Sequence, residues 1–403
     1  MITRRGFLQT GLGALLASSA SRVLAGDGPA GKAKNCIVLW MNGGPSHVDT
    51  WDIKKPSTSF DAIATDTPGL EISEHFPLLA KQSKLYSVIR SLTSKEADHG
   101  RATFYMHTGN LPQETVAFPA FGAVAAHEWP ASRDLPLYVS IGEAFGDPGF
   151  LGMEYAPFGV DLDNPTELLD LAEIRQKRFA RRVELLDKLN RQFERRSDAA
   201  TISADEKVQK RALAMMSPKA VKAFDFKSED EQTRGAYGDS EFGRGCLLAR
   251  RLIENGVRFV EVSLDGWDTH ENNFEQVKKL SGTVDAGMSN LLKELNDRGL
   301  LKDTLVLWMG EFGRTPEVNG AKGRDHHSKA FSAVIAGGGT SGGRAIGKTD
   351  ATGTEVAERP VTIPDLFVTL FQSLGFDPAH QFDTPGGRPI KLVEKGAAVG
   401  ELF

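Results

Sequence analysis

The chain has 403 residues, 40% of them hydrophobic and 25% charged, which is ordinary globular composition and room for one large α/β unit or two to three smaller domains. A net charge of −5, with no basic face interleaved with aromatics, argues against a nucleic-acid partner. With only Cys36 and Cys246, and no Cys-x-x-Cys, a thiolate zinc site is excluded; both are expected to be isolated buried thiols.

In chain order, Arg4-Arg5-Gly6-Phe7-Leu8 comes first, followed by a small apolar segment, Gly11 to Ala20, and then Val23-Leu24-Ala25. Charge, apolar core and small-residue cleavage site stand in the order of an export signal, and the paired arginines resemble the twin-arginine type. Residues 1–25 are therefore expected to be a signal peptide read by the twin-arginine export machinery, which places the protein in the periplasm or otherwise outside the cytoplasm. The apolar core is too short to span a bilayer, so no stable membrane anchor is expected.

Asn35 to Met41 is a continuous apolar run that ends at Asn42-Gly43-Gly44-Pro45, the pattern of a buried parallel strand opening into a loop. In that loop Ser46, His47, Asp49 and Asp52 are candidates for chemistry. Leu85 to Arg90 and Leu137 to Ile141 read as further strands. Between them Asp98-His99-Gly100-Arg101 opens a helix that Gly109 closes. A helix N-terminus favours anions, and Arg101 adds a planar fork for phosphate or sulfate. Residues 163–235 are charged and helical in pattern, and read as a helical insertion.

Phe259 to Ser263, Leu305 to Trp308 and Ser332 to Ala336 complete the strands. Gly282 to Arg298 carries Val284, Met288, Leu291, Leu292 and Leu295 on one helical face. Strand and helix alternate, so the predicted fold is α/β, a mostly parallel central sheet covered by helices on both faces. The glycine-rich stretch Gly337 to Gly343 lacks the Lys-Ser/Thr of a phosphate loop and reads as a turn.

Two clusters carry the chemistry. Asp268-Thr269-His270 follows one strand; Glu311 ends another, and Asp325-His326-His327 comes shortly after it. Carboxylates and imidazoles at strand ends suit a divalent ion, which oxygen and neutral nitrogen together hold. Asp268, His270, Glu311, Asp325 and His326 are the expected ligands. Adjacent side chains in an extended loop diverge, so one of His326 and His327 binds metal while the other orients a ligand or meets substrate; His326 is the favoured ligand. A lone His75, His107, His127 or His380 is given no role.

Thr108-Gly109 after the second strand and Pro364 to Gly375 near the end resemble sulfatases and the wider alkaline-phosphatase superfamily. More closely, Gly43-Gly-Pro-Ser46, Trp267-Asp-Thr-His270, Glu311-Phe-Gly-Arg-Thr-Pro316 and Gly323-Arg-Asp-His-His327 resemble the bacterial domain-of-unknown-function family 1501. The resemblance implies an alkaline-phosphatase-like domain over residues 33–403. It implies Asp268 and His270 as metal ligands, with Asp325-His326 on the segment of the last ligand histidine. Glu311-Phe312 stands where the superfamily has Asp-His, and Asn42-Gly43 where it has a metal-binding Asp; Asp49 or Asp52 would have to replace the lost ligands. His99 stands where the nucleophile opens the helix, and no Cys-x-Pro-x-Arg is present, so a formylglycine sulfatase is excluded.

The implied activity is metal-dependent hydrolysis of a phosphate or sulfate ester, with zinc, manganese, calcium or magnesium. His99 or His327 would move protons and Arg101 would hold the anion. The substrate would be a small anionic ester or a sulfated or phosphorylated glycan. The alternatives are a non-catalytic metal- or glycan-binding protein on the same fold, and a transferase or phosphomutase, whose plain Ser or Thr nucleophile is not evident.

Overall fold

A computed structural model describes residues 33–129, 135–166, a few positions between 181 and 188, 218–384 and 386–403. Among these, nine strands form the central sheet: β1 Asn35–Met41, β2 Tyr86–Thr93, β3 Tyr138–Ile141, β4 Phe158–Val160, β5 Phe259–Leu264, β6 Thr304–Met309, β7 Phe331–Gly337, β8 Arg344–Ile346 and β9 Val361–Thr362. Their order is β8-β2-β7-β6-β1-β5-β3-β4, with β9 also on β2. All pairings are parallel except those of β7, which runs against both β2 and β6.

The central strand explains the layering. Side chains alternate across a strand, and in β1 every second residue joins a different core. Ile37, Leu39 and Met41 pack in one layer with Leu247 and Leu252 of helix α3 (Glu241–Asn255) and Val284, Met288 and Leu291 of α4 (Asn273–Asp297). Cys36, Val38 and Trp40 pack in the other with Met106 of α1 (His99–Thr108), Val124 of α2 (Phe121–Glu128) and Phe367, Leu370 and Phe371 of α5 (Ile363–Ser373). Each such buried side chain contributes about 1.5–3 kcal/mol. Cys36 and Cys246 are free thiols and belong to different layers.

Helix boundaries follow local chemistry. Asp98 caps α1 by accepting from Arg101 N, and Gly109 closes it with φ 71°. Ser240 caps α3, and Thr362 and Asp365 form a reciprocal capping box on α5.

The six strands read from apolar runs are all present. The reversal of β7 and the short edge strands β4, β8 and β9 are additions. Gly337, Gly338 and Gly339 all have positive φ, which makes the stretch after β7 a tight turn. The expected signal peptide lies outside the described residues, as does most of the expected insertion; its described end is helical at Pro218–Phe224 and Glu231–Ala236. No described helix is long and apolar enough to cross a membrane.

Candidate metal centre

Four chain segments leave the carboxyl ends of parallel strands β1, β2, β5 and β6 and meet, which is where open α/β sheets place their sites. Close backbone approach locks them together. A side chain on Gly43 (φ 112°) would meet Asp268 N at 2.3 Å, and one on Gly323 would meet His270 O at 1.8 Å. The bare backbone at Gly323 lets the 319–325 loop zip onto 269–273: Arg324 N donates to Thr269 O at 2.9 Å, Asn273 N to Lys322 O at 2.9 Å, and Asn319 Nδ2 to His270 O at 3.0 Å. A two-residue ladder, Gly313–Arg314 against His326–His327, fixes the other side of that loop. Residues 55 positions apart in sequence are thereby brought into hydrogen-bond contact, as His270 with Asp325.

The result is a convergence of three imidazoles on one carboxylate oxygen. Asp268 Oδ1 lies 3.3 Å from His99 Nε2, 3.2 Å from His270 Nε2 and 3.5 Å from His326 Nε2. The Nε2 atoms of His270 and His326 are 3.0 Å apart. Ligand atoms of His99, Asp268 and His326 all fall within 4.8 Å of one another. Atoms bound tetrahedrally at 2.0–2.1 Å would be separated by roughly 3.3–3.4 Å, and the three distances to Asp268 Oδ1 lie near that value; His270 lies outside the group of three.

Each histidine is also turned the right way. His99 Nδ1 bonds Glu311 Oε1 at 2.8 Å, His270 Nδ1 bonds Asp325 Oδ1 at 3.1 Å, and His326 Nδ1 bonds the carbonyl of Ala97 at 2.7 Å. All three partners are acceptors, so each Nδ1 carries the proton and each Nε2 presents a lone pair. Lone pairs aimed at one point beside a carboxylate favour a cation among them; the Arg314 guanidinium already donates to the same Asp268 Oδ1 from one side. Metal-ligating histidines show this arrangement, with the outer nitrogen donating to a carboxylate or carbonyl.

The electrostatics agree. Burial opposes ionisation of Asp268, but the Arg314 hydrogen bond and charge outweigh it, with help from His99 and His270, and hold the carboxyl below its ordinary value. Burial, reinforced by the charge of Arg314, lowers the pKa of His326 and keeps the ring neutral. The hydrogen bond to Glu311 raises that of His99 against burial, which makes it the more basic imidazole.

Phe312 is fully buried, with its ring centroid 5.0 Å from that of His99 and 4.6 Å from that of His326. It walls one side of the cluster.

A family described as a protein of unknown function, DUF1501, matches residues 33–403. The chain belongs to this family. No curated protein matches it. Among solved structures it is similar to the lipoteichoic acid synthase LtaP from Listeria monocytogenes, at 10% identity and TM-score 0.40, over 93% of this chain and 76% of that one. It is similar to the PsFucS1 sulfatase from Pseudoalteromonas sp., at 14% identity and TM-score 0.38, over 86% and 68% of the two chains. A TAB5 alkaline phosphatase variant gives 11% identity and TM-score 0.40, over 86% and 99%.

Within this DUF1501 chain, the residues expected from sequence separate into those that face the convergence point and those that do not. Asp268, His270 and His326 face it. His99, expected to move protons, faces it as well. Glu311 and Asp325, expected as ligands, stand behind His99 and His270, where a carboxylate orients an imidazole. Glu311 Oε1 also accepts from Gly43 N at 2.8 Å.

Asp49, expected as a ligand, is fully buried and held bidentately by Arg324 at 2.7 and 3.0 Å, with Asn273 at 2.8 Å. The reason is charge: a buried carboxylate needs a partner, and a buried guanidinium is already there. Arg101, expected to hold an anion, has its fork filled by Glu96, with both bonds at 2.8 Å. His327 turns away, donating to Thr354 O at 2.7 Å, because adjacent residues of an extended segment point to opposite sides. Burial, ahead of the charge of Lys329, lowers its pKa.

Arg314, three residues after Glu311, bonds Asp268. The structural parts of Arg324 and Phe312 had no sequence signal, since neither lies in a cluster of metal-binding residue types.

Proposed function

We propose that this protein is an exported, metal-dependent hydrolase of phosphate or sulfate esters, with one metal ion held by His99, Asp268, His270 and His326. The observation that carries the metal is the convergence of three Nδ1-satisfied imidazoles on Asp268 Oδ1 at 3.2–3.5 Å. Three imidazole nitrogens suit zinc, whereas calcium, magnesium and manganese are better served by oxygen ligands. The ester class rests on the motif resemblance to sulfatases and alkaline phosphatases, and export rests on the pattern of residues 1–25.

Bound there, an ion supplies Lewis acidity and lowers the pKa of water. The chain's own residues arrange the rest. Glu311 and Asp325 fix the tautomers of His99 and His270, the Ala97 carbonyl fixes that of His326, and Arg314 keeps Asp268 ionised. His99, His270 and Asp268 have side chains between one-third and one-half exposed, so an ester can reach the centre from solvent. No hydroxyl side chain bonds the four residues among those described, which favours attack by water over a covalent serine or threonine ester.

A second reading has a specific support: with His270 3.0 Å from His326 and 3.2 Å from Asp268, a fourth protein ligand would close the shell, as in structural zinc sites. Assays of aryl phosphate and aryl sulfate hydrolysis with and without a chelator separate the two. Hydrolysis that chelation abolishes and zinc restores supports the enzyme; stoichiometric metal without hydrolysis of either ester supports the structural site.

A further inference from the structure

Away from the metal centre, an open cleft of about 770 Å³ lies at the β8 edge of the sheet, and Lys54, Arg90, Arg344, Lys348 and Arg359 line it. The carboxylates in its wall are Glu358 and Glu401, so five cations face two anions. Glu401 engages Arg359 with bonds of 2.6 and 2.9 Å, and Glu358 lies 3.3 Å from Lys348. Lys54 pairs with Asp52 behind the wall at 3.2 Å. One guanidinium is left underused. Arg344 bonds a backbone carbonyl, that of Glu401, and has no carboxylate partner among the described residues. Arg90 is already engaged, its Nη2 donating to Glu71 O at 2.5 Å and its Nε lying 3.7 Å from Asp52.

The cleft is joined to the metal centre by one element. In the hairpin of Lys348–Thr349 with Val356–Glu358, the base lines the cleft. The tip is held by His47, through Gly353 O at 2.7 Å, and by His327, through Thr354 O at 2.7 Å. His327 is the residue next to His326, whose ring faces the metal centre. Lys329, two residues further on, pairs with Glu355 of the same tip at 3.1 Å. A chain lying along this hairpin would run from the cationic cleft toward the convergence of His99, His270 and His326.

We infer that the cleft binds a sulfate or phosphate group of a polyanionic substrate chain, at a distance from the ester that reacts; the pairing with a reacting ester rests on the hydrolase reading above. An arginine fork meets a tetrahedral oxyanion with two parallel N–H···O bonds, and such bonds are stronger than neutral ones. The concave wall suits a chain rather than a flat anionic surface. A compact monoester engages the metal centre alone, whereas a polyanion gains from both.

The test uses the zinc-loaded full chain, titrated calorimetrically with a heparin hexasaccharide, with polyphosphate of similar charge and with anionic phospholipid vesicles. The double variant Arg344→Ala with Lys348→Ala is expected to bind the preferred polyanion about tenfold more weakly, the loss of two exposed charge contacts. Its metal content and its handling of a small aryl ester are expected to match the wild type. The charge reversal Arg344→Glu, which keeps a long side chain at the position, should weaken binding at least as much. The hexasaccharide and polyphosphate arms tell sulfate from phosphate. Equal affinity in wild type and both variants overturns the inference, and so does binding to vesicles in preference to both chains. Loss of affinity in the variants after metal removal upholds the cleft even where no ester is hydrolysed, so failure of the hydrolase reading stays distinguishable.

Discussion

Changing Glu311 to Gln isolates the one interaction that most distinguishes this centre. Glu311 is fully buried, and its Oε1 takes hydrogen bonds from Gly43 N and His99 Nδ1, both at 2.8 Å. Its Oε2 has no partner. The amide therefore keeps an acceptor for both bonds and places its nitrogen where no bond existed. What disappears is the negative charge that polarises the His99 ring. Partners of this kind are worth about 10- to 100-fold in metal affinity, or about 1.4–2.7 kcal/mol. The upper end is expected, because a buried carboxylate acts through a low dielectric. Asp325 plays the same part for His270, but its side chain is 61% exposed and its bond is longer, at 3.1 Å. Asp325→Asn should fall at the lower end. Zinc competition against a chromogenic chelator measures both, with thermal melts of the metal-free proteins as a control for folding. Unchanged zinc affinity in Glu311→Gln, or a larger loss in Asp325→Asn, would refute the idea that Glu311 works through His99.

His270→Ala should take the bound metal from about one ion per chain to well below that, because one of four ligands is lost; full occupancy by elemental analysis would move the site elsewhere. Replacing Arg4 and Arg5 by Lys should leave the precursor in the cytoplasm, and normal export on fractionation would rule out the twin-arginine route. Burial pushes the His47 pKa from 6.5 down to about 4. The unfolded chain then takes up the proton first, so stability is lost as pH falls between those values, by about 3 kcal/mol at most. His47→Gln should flatten the acid-unfolding curve over that window, and parallel curves would remove His47 as the cause. Asp49→Ala strands the fully buried Arg324 without its carboxylate, which should cost about 3–5 kcal/mol in urea unfolding; a loss under about 1 kcal/mol would show that water or the neighbouring carbonyls suffice.

How much of this was legible in the sequence depends on whether the signal was local. Strands β1, β5 and β6 are apolar runs bounded by turn residues, and α1 announces itself through Asp98 and Gly109, so each could be placed without knowing the others. The direction of β7 was not legible, because a strand buried on both faces has the same composition either way round. At the centre, residue type and strand-end position pointed to Asp268, His270 and His326. They did not separate a residue that faces the convergence point from one that stands behind it. Glu311 and Asp325 have ligand chemistry, yet each meets an imidazole Nδ1 first. His99 looked like a proton carrier because it opens a helix, while the position of its Nε2 depends on the paths of β5 and β6, far away in sequence.

The least legible part is also what holds the centre together. Arg314 and Arg324 are both fully buried. Arg314 donates to the carbonyls of Gly43, Gly44 and Arg324 and to Asp268. Arg324 donates to the carbonyls of Thr315, Pro316 and Ser57 and to Asp49. A guanidinium offers five donors in a rigid plane, and a lysine ammonium has no such fork. Two of them therefore serve the orphan carbonyls of loops that leave β1 and β6, and each also binds one carboxylate. Loops ordinarily lie on the surface because their backbone polar groups need water; here the arginines replace that water. The 42–57 and 313–325 loops are thereby tied into one unit by protein contacts alone, with Asp268 and His326 at its rim. Such a unit holds its ligands in place without paying for their ordering at the moment of binding, which is what a centre built from four separate segments requires if it is to compete for metal at all.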